Sequence, residues 1–297
     1  MPSNIIDIQG LSRHFGKKQA LHDIDLTVPS GTVLGLVGEN GAGKTTLLKH
    51  MLGLFKAQQG SVRVFGLDPV QDPVDVLGKI GYLSEDREMP DWMRIQEYLR
   101  YTQAFYPDWD SDYAQELLTT FDLDPSQRIK QLSRGQRAKV GLLAALAYRP
   151  DLLLFDEPSS GLDPVVRRDI LGAIVHTITE EGRTVVLSSH LLDEVERVAD
   201  RVVMIHAGRV VLSDTLDHLR EEHHQLVIRF DPACTAPPQL PGLLTCSGGP
   251  EEWSCTCCQK LKILEDSVAG LNGRIVDQSS PSLDDIFVAR VKAGITH

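Results

Sequence analysis

The stretch Gly38-Glu39-Asn40-Gly41-Ala42-Gly43-Lys44-Thr45-Thr46 constrains this chain more than any other. It has the form G-x-x-x-x-G-K-[ST], the spacing of a loop that wraps phosphate. The apolar run at residues 32–37 before it has the length of a buried strand. After it, Leu47, Leu48, Met51 and Leu52 recur at helical spacing through residues 45–54. In a strand–loop–helix context, glycines let the backbone approach a polyphosphate closely. The helix N-terminus then presents unpaired N–H groups and a positive dipole end to the anion. Lys44 supplies a point charge for the β- and γ-phosphates, and the Thr45 hydroxyl a ligand for Mg²⁺.

Strands and helices alternate around this loop. Residues 5–9 and 21–28 alternate like a small β region, closed by the turn Pro29-Ser30-Gly31. The segment 11–16 between them carries Phe15, an aromatic that can stack on a flat base or plug a core. Residues 60–66 and 80–83 are further short strands. Residues 92–121 turn helical and are broken by Pro107 into at least two helices. Ser133 N-caps the next helix, with Gln136 at the capping-box position. The apolar run 152–155 ends in Asp156 and Glu157, a helix spans 164–181, and the strand 184–189 delivers His190. A short helix at 191–198 and two strands, 201–206 and 208–212, follow.

Composition changes near residue 220. Residues 225–230 form a strand, and the Pro-, Gly- and Cys-rich stretch 231–260 reads as loop. Residues 261–264 and 273–276 read as strands, and 282–291 as an amphipathic helix capped by Ser282. This predicts a small appended α/β domain. The length of 297 residues accommodates a large domain and a small one.

Three strand ends therefore converge on one edge of a mostly parallel sheet, bringing Lys44 and Thr45, then Asp156 and Glu157, then His190. Phosphoryl transfer to water needs a divalent cation, an oriented water and neutralised charge. Asp156 suits a carboxylate that holds Mg²⁺ through water, Glu157 a general base, and His190 a contact to the γ-phosphate and the water.

Taken together, these motifs resemble the nucleotide-binding subunit of ABC transporters over roughly residues 4–217. The resemblance is carried by residues 38–46 (Walker A), Leu132-Ser133-Arg134-Gly135-Gln136 (the signature), residues 152–157 (Walker B), Ser159-Ser160-Gly161-Leu162-Asp163 (the D-loop) and Ser188-Ser189-His190 (the H-loop). It implies a P-loop NTPase core, with an antiparallel β subdomain and a helical subdomain at about 86–148. The expected division is an ATP-binding cassette at 1–219 and an accessory domain at 220–297.

The resemblance also implies ATP and Mg²⁺ as cofactors. ATP would be bound by Phe15, Gly38, Asn40, Gly41, Ala42, Gly43, Lys44, Thr45 and Thr46. Glu157 and His190 would be catalytic, and Thr45, Asp156 and Glu85 would serve the metal. It further implies a head-to-tail homodimer or heterodimer in which Ser133, Arg134, Gly135 and Gln136 act in trans beside the D-loop Asp163. Two phosphate-binding helix ends in one chain fit that arrangement.

Two residues depart from the family pattern: Glu85 stands where Gln is usual, and Arg134 where Gly is usual. Glu85 keeps a metal-binding oxygen but adds negative charge near the γ-phosphate. The ending Ser282-Leu283-Asp284-Asp285-Ile286-Phe287, and the stretches 84–87 and 105–110, look like the exporter-type group that includes drug-resistance ATPases.

A net charge of −11 argues against a nucleic-acid surface. The longest apolar stretch, residues 140–148, is bounded by Lys139 and Arg149, and the N-terminus lacks signal-peptide regions. The expectation is a cytoplasmic protein, peripheral on the inner face of the membrane through a separate integral-membrane permease. Met89, Trp92 and Met93 are candidates for docking it. The alternative is a non-transport ABC ATPase acting on nucleic acid or the ribosome. Lys44 and Ser133 are 89 residues apart, which leaves no room for the long insertions of DNA-repair relatives. Five late cysteines, an odd number without paired C-x-x-C spacing, read as free thiols in a variable tail.

Overall fold

The structure, a computed structural model, describes residues 4–294, apart from the side chains of residues 176–181. The first third of the chain contains β1 (Asn4–Phe15), β2 (Lys18–Pro29), β3 (Val33–Val37), α1 (Lys44–Met51), β4 (Gln59–Val64), α2 (Pro73–Leu77) and β5 (Ile80–Leu83). Helices dominate next, with α3 (Ile95–Gln103), α4 (Ser111–Thr120) and α5 (Arg134–Leu146). Then come β6 (Leu152–Asp156), α6 (Pro164–Glu181), β7 (Thr184–Ser189), α7 (Leu192–Val198), β8 (Arg201–His206) and β9 (Arg209–Thr215).

The central sheet has the order β5-β6-β7-β3-β8-β9, parallel except for β9. A three-stranded antiparallel sheet, β2-β1-β4, covers one of its faces. Every residue of β3, β6 and β7 is buried, as strands covered on both faces require. Period-two alternation sends successive residues of one strand into different cores. Val33, Val37, Leu153, Phe155, Val185 and Leu187 join the helical side. Leu34, Leu36, Leu152, Leu154 and Val186 join α1 and the antiparallel sheet. Gly35 lets α7 approach β3, since a Cβ there would lie 2.1 Å from a Val195 methyl.

β1 extends through Phe15, so residues 11–15 are strand and only Gly16 and Lys17 connect to β2. Register shifts between Ile8 and His14 break the alternation that would have revealed it. Met93 is a core residue and Met89 packs against that core, whereas Trp92 is 66% exposed. Of the three residues expected on a docking surface, Trp92 alone projects from it.

The rest of the chain is α8 (Leu216–Glu222), β10 (His223–Phe230), β11 (Leu243–Gly249), β12 (Glu252–Cys258), α9 (Leu261–Gly270), β13 (Gly273–Ser279) and α10 (Leu283–Lys292). The four strands form an antiparallel sheet of order β11-β12-β10-β13. Two expectations fail here. Residues 231–260 contain β11 and β12, because Trp253, Cys255 and Cys257 alternate inward as core residues. A buried free cysteine behaves as a small hydrophobe, which hid the period. Residues 261–264 begin a helix, whose buried stripe, Leu264 and Val268, is spaced by four. Four residues are too few to distinguish the two periods.

α10 leaves this small sheet and returns to the helical side of the central sheet. Leu283, Ile286 and Phe287 belong to the helical-side core, and the Leu283 N–H donates to Glu196 Oε1 at 3.3 Å. Arg290 of α10 also reaches back to β10 and β12, donating to His223 Nε2 and Cys258 Sγ, each at 3.2 Å. His223 is 1% exposed, and its Nδ1–H donates to the Leu219 carbonyl at 3.0 Å. Burial, reinforced by the Arg290 charge and by His224 and opposed by the Leu219 carbonyl and Asp214, pushes the His223 pKa down to about 4.

The unfolded chain therefore takes up a proton below about pH 6.5 that the folded chain resists, so stability falls as pH drops from 6.5 towards 4. His223→Gln should flatten the urea-unfolding free energy across that window by about 2–3 kcal/mol relative to wild type.

Candidate active site

The site begins with the geometry of α1. Its N-cap, Gly43, has φ +116°, and a Cβ there would meet the Ala20 carbonyl at 2.8 Å. No acidic residue stands in the first turn, which leaves the first N–H groups and the helix dipole available to an anion. At the other end of the loop, a Cβ on Gly38 would lie 2.1 Å from the Ile205 carbonyl, so β8 crowds the backbone there. Ala42 is buried, and its carbonyl accepts from Gly208 N–H at 2.9 Å.

Lys44 is buried, and its ammonium is fully engaged. Nζ donates to Gly38 O at 2.6 Å and Glu39 O at 3.3 Å, and pairs with Glu157 Oε1 at 3.0 Å. The other Glu157 oxygen accepts from His190, at 2.7 Å from Nδ1 and 3.3 Å from the backbone N–H. One carboxylate thus joins the ends of β3, β6 and β7. Glu157 has φ +48°, and its N–H donates to the Ser188 carbonyl at 3.1 Å.

Asp156 is 1% exposed and accepts from Ser188 Oγ at 3.0 Å. Burial pushes its carboxyl upward, while hydroxyl donation from Thr45 and Ser188 and the Lys44 charge oppose the rise. A cleft of about 280 Å³ is lined by Phe15, Asn40, Lys44, Thr45, Thr46, Glu85 and Glu157, among others. Phe15 is 42% exposed and packs edge-on against Phe55, with Arg13 over its ring at 4.8 Å.

The signature residues lie outside this cleft. Ser133 caps α5, accepting from Gln136 N–H at 3.1 Å while Gln136 Oε1 accepts from Ser133 N–H at 3.0 Å. Ser133 and Arg134 are exposed, and Gly135 is buried against Val166. Asp163 caps α6, accepting from the N–H groups of Val165 and Val166. The Arg134 guanidinium lies 3.4 Å from where a Cβ on Gly161 would be, so the signature and the D-loop touch within one copy.

Two clusters were not anticipated from the sequence. Arg87 donates to the carbonyls of Glu157, Pro158 and Ser160. From the other side, Ser159 donates to buried Glu194 at 2.5 Å, and Glu194 pairs with Arg167 at 3.1 Å. The stretch 84–87 was visible as a motif, but nothing local predicts that Arg87 folds inward. Glu194 looks like any charged helix residue, and its burial is a tertiary fact.

A parallel sheet delivering a phosphate loop, an Asp-Glu pair and a histidine to one edge defines a P-loop nucleoside triphosphatase. A family profile described as ABC transporter matches residues 21–160. The ABC transporter ATP-binding protein YtrB of Bacillus subtilis is 30% identical over 76% of this chain and 77% of its own length. The daunorubicin resistance ATP-binding protein DrrA3 of Streptomyces coeruleorubidus is 35% identical over 75% of this chain and 72% of its own. A solved ATP-binding subunit of an ABC transporter superposes with a TM-score of 0.67 at 29% identity, covering 73% of this chain and 92% of that one. The chain belongs to the ABC transporter ATP-binding proteins, a family of ATPases.

Ser133→Ala should lower stability by about 1 kcal/mol through loss of the α5 cap. A chemical denaturation curve recorded without nucleotide measures it.

Proposed function

We propose that this chain is the ATP-hydrolysing motor subunit of an exporter. Two copies, or this chain and a related one, close head to tail on two ATP molecules and drive a separate integral-membrane permease. The observation that carries the reading is the chain Lys44–Glu157–His190 at the mouth of the phosphate loop, with Lys44 and Glu157 buried and His190 half-buried. Incoming phosphate oxygens compete for the Lys44 ammonium. That exchange frees Glu157 to accept a proton from the attacking water. The water oxygen bonds to the γ-phosphorus, the β–γ bridging bond breaks, and ADP carries away the bridging oxygen. His190 holds the Glu157 carboxylate in place, and Phe15 stacks on the adenine.

The donors beside the loop are oxygens, which fits Mg²⁺. Among the described residues no three His, Cys, Asp or Glu side chains form a metal-holding group. That suits a cation that keeps waters and takes one or two carboxylates plus substrate phosphates. Thr45 and Asp156 would hold it, with Glu85 at the rim, and it would neutralise charge developing on the phosphates.

Among the described residues no helix is long and apolar enough to cross a membrane, so the reading assigns the membrane part to another chain. The protein would then sit at the inner face of the membrane through that permease, with no nucleic-acid partner. Ser133, exposed at the tip of α5, suits a contact with ATP held by a second copy. The daunorubicin-resistance relative supports export over import. The boundary near residue 220 would separate the cassette from an accessory unit, with α10 returning to the cassette.

Glu157→Gln should cut ATP turnover by about a hundredfold or more while leaving ATP binding intact. ATP should then hold the variant as a dimer in size-exclusion chromatography. Near-normal turnover would exclude Glu157 as the proton acceptor. Glu85→Gln should shift the Mg²⁺ titration of ATPase activity, and an unchanged curve would remove Glu85 from the metal. Affinity capture from solubilised membranes, with no membrane protein recovered, would favour the non-transport reading.

A further inference from the structure

We propose that Arg87 is a positioning residue that holds the Glu157 backbone, and with it the start of the D-loop, in the geometry required for water activation. The inference rests on Glu157 being the proton acceptor.

Arg87 follows β5 in a tight turn, where its N–H donates to the Ser84 carbonyl at 3.3 Å. It is 8% exposed and has φ +48°. Its Nη2 faces three carbonyl oxygens at once: Pro158 at 2.8 Å, Ser160 at 3.1 Å and Glu157 at 3.4 Å. Burial pushes the Arg87 pKa down, opposed by Glu85 and reinforced by Arg134, yet a guanidinium stays charged in proteins. A charged donor facing several carbonyls is the strong form of the hydrogen bond.

The segment it grips needs holding. Glu157 carries a side chain at φ +48°, a region sparsely populated by such residues and kept only where the surroundings over-determine it. Three further restraints act on this turn. Glu157 N–H donates to Ser188 O, Ser160 N–H donates to Glu157 O, and Ser159 Oγ donates to Glu194. Arg87 is the restraint that comes from the turn after β5, two residues after Glu85, which lines the cleft. The same short segment therefore touches the cleft with a carboxylate and the catalytic turn with a guanidinium. Occupation of the cleft beside Glu85 would be felt at Glu157 through this two-residue link. A guanidinium presents a planar fork of donors that a lysine ammonium cannot reproduce.

The test uses the full chain with Arg87→Met and Arg87→Lys. Three quantities are measured for each: hydrogen–deuterium exchange by peptide, kcat and KM for ATP, and the thermal midpoint. Arg87→Met should raise exchange in peptides spanning 157–162 while those from β3 and α1 keep wild-type protection. It should lower kcat about 10- to 100-fold, with KM changed by no more than about twofold. Arg87→Lys should fall between Arg87→Met and wild type. Unchanged exchange at 157–162 in either variant overturns the proposal, as does wild-type kcat in Arg87→Met. A loss confined to KM, or protection lost everywhere in both variants, assigns Arg87 a merely structural role and also overturns it. If wild type does not hydrolyse ATP, or Glu157→Gln is as active as wild type, the function reading fails instead, and the exchange pattern still decides whether Arg87 holds the turn.

Discussion

A buried positive charge must find a partner, and the edge of the central sheet at the phosphate loop is organised around meeting that demand for Lys44. The ammonium is held by two loop carbonyls and by Glu157. Glu157 is itself buried and needs a counter-charge and donors, which Lys44 and His190 provide. An isolated buried ion is costly, whereas a hydrogen-bonded chain of them is tolerable. The same groups are those a polyphosphate and a water would engage. Charge balance at this edge is thereby met within the chain by Lys44, Glu157 and His190 together.

That arrangement requires the strand ends to be rigid, and the two cores supply the rigidity. β3, β6 and β7 are clamped between an antiparallel sheet on one face and helices on the other, with alternate side chains locked into each. Their carboxyl ends cannot drift independently. Loops carrying chemistry on a scaffold packed on both faces can be irregular, as the left-handed Glu157 shows, without the site losing precision.

How much of this was legible in the sequence depended on range. The phosphate loop was legible because its chemistry lies within nine consecutive residues, and β6 and β7 because buried parallel strands read as unbroken apolar runs. Ser133 and Gln136 were legible as a cap because a capping box spans only four residues. Of the late sheet, β10 and β13 were legible and β11 and β12 were not, since the cysteines of β12 occupy apolar positions while resembling reactive or metal-binding residues. Met93 was misplaced because a methionine beside a tryptophan gives no hint of which one faces inward. Arg87 and Glu194 acquire their roles only when β5 and α7 are brought against the turn after β6, a juxtaposition no local pattern encodes.

The return of α10 changes the mechanics of everything after residue 215. The late sheet leaves the central sheet through α8 and rejoins it through α10, whose Leu283 is tied to Glu196 of α7 and whose Phe287 ring faces His206 of β8. It resembles a handle fixed at both ends more than a flag on a single hinge. Rotation at one attachment must be matched at the other or else strain both. The sheet can therefore follow displacements of α7, which begins two residues after His190, but it cannot wander independently of them.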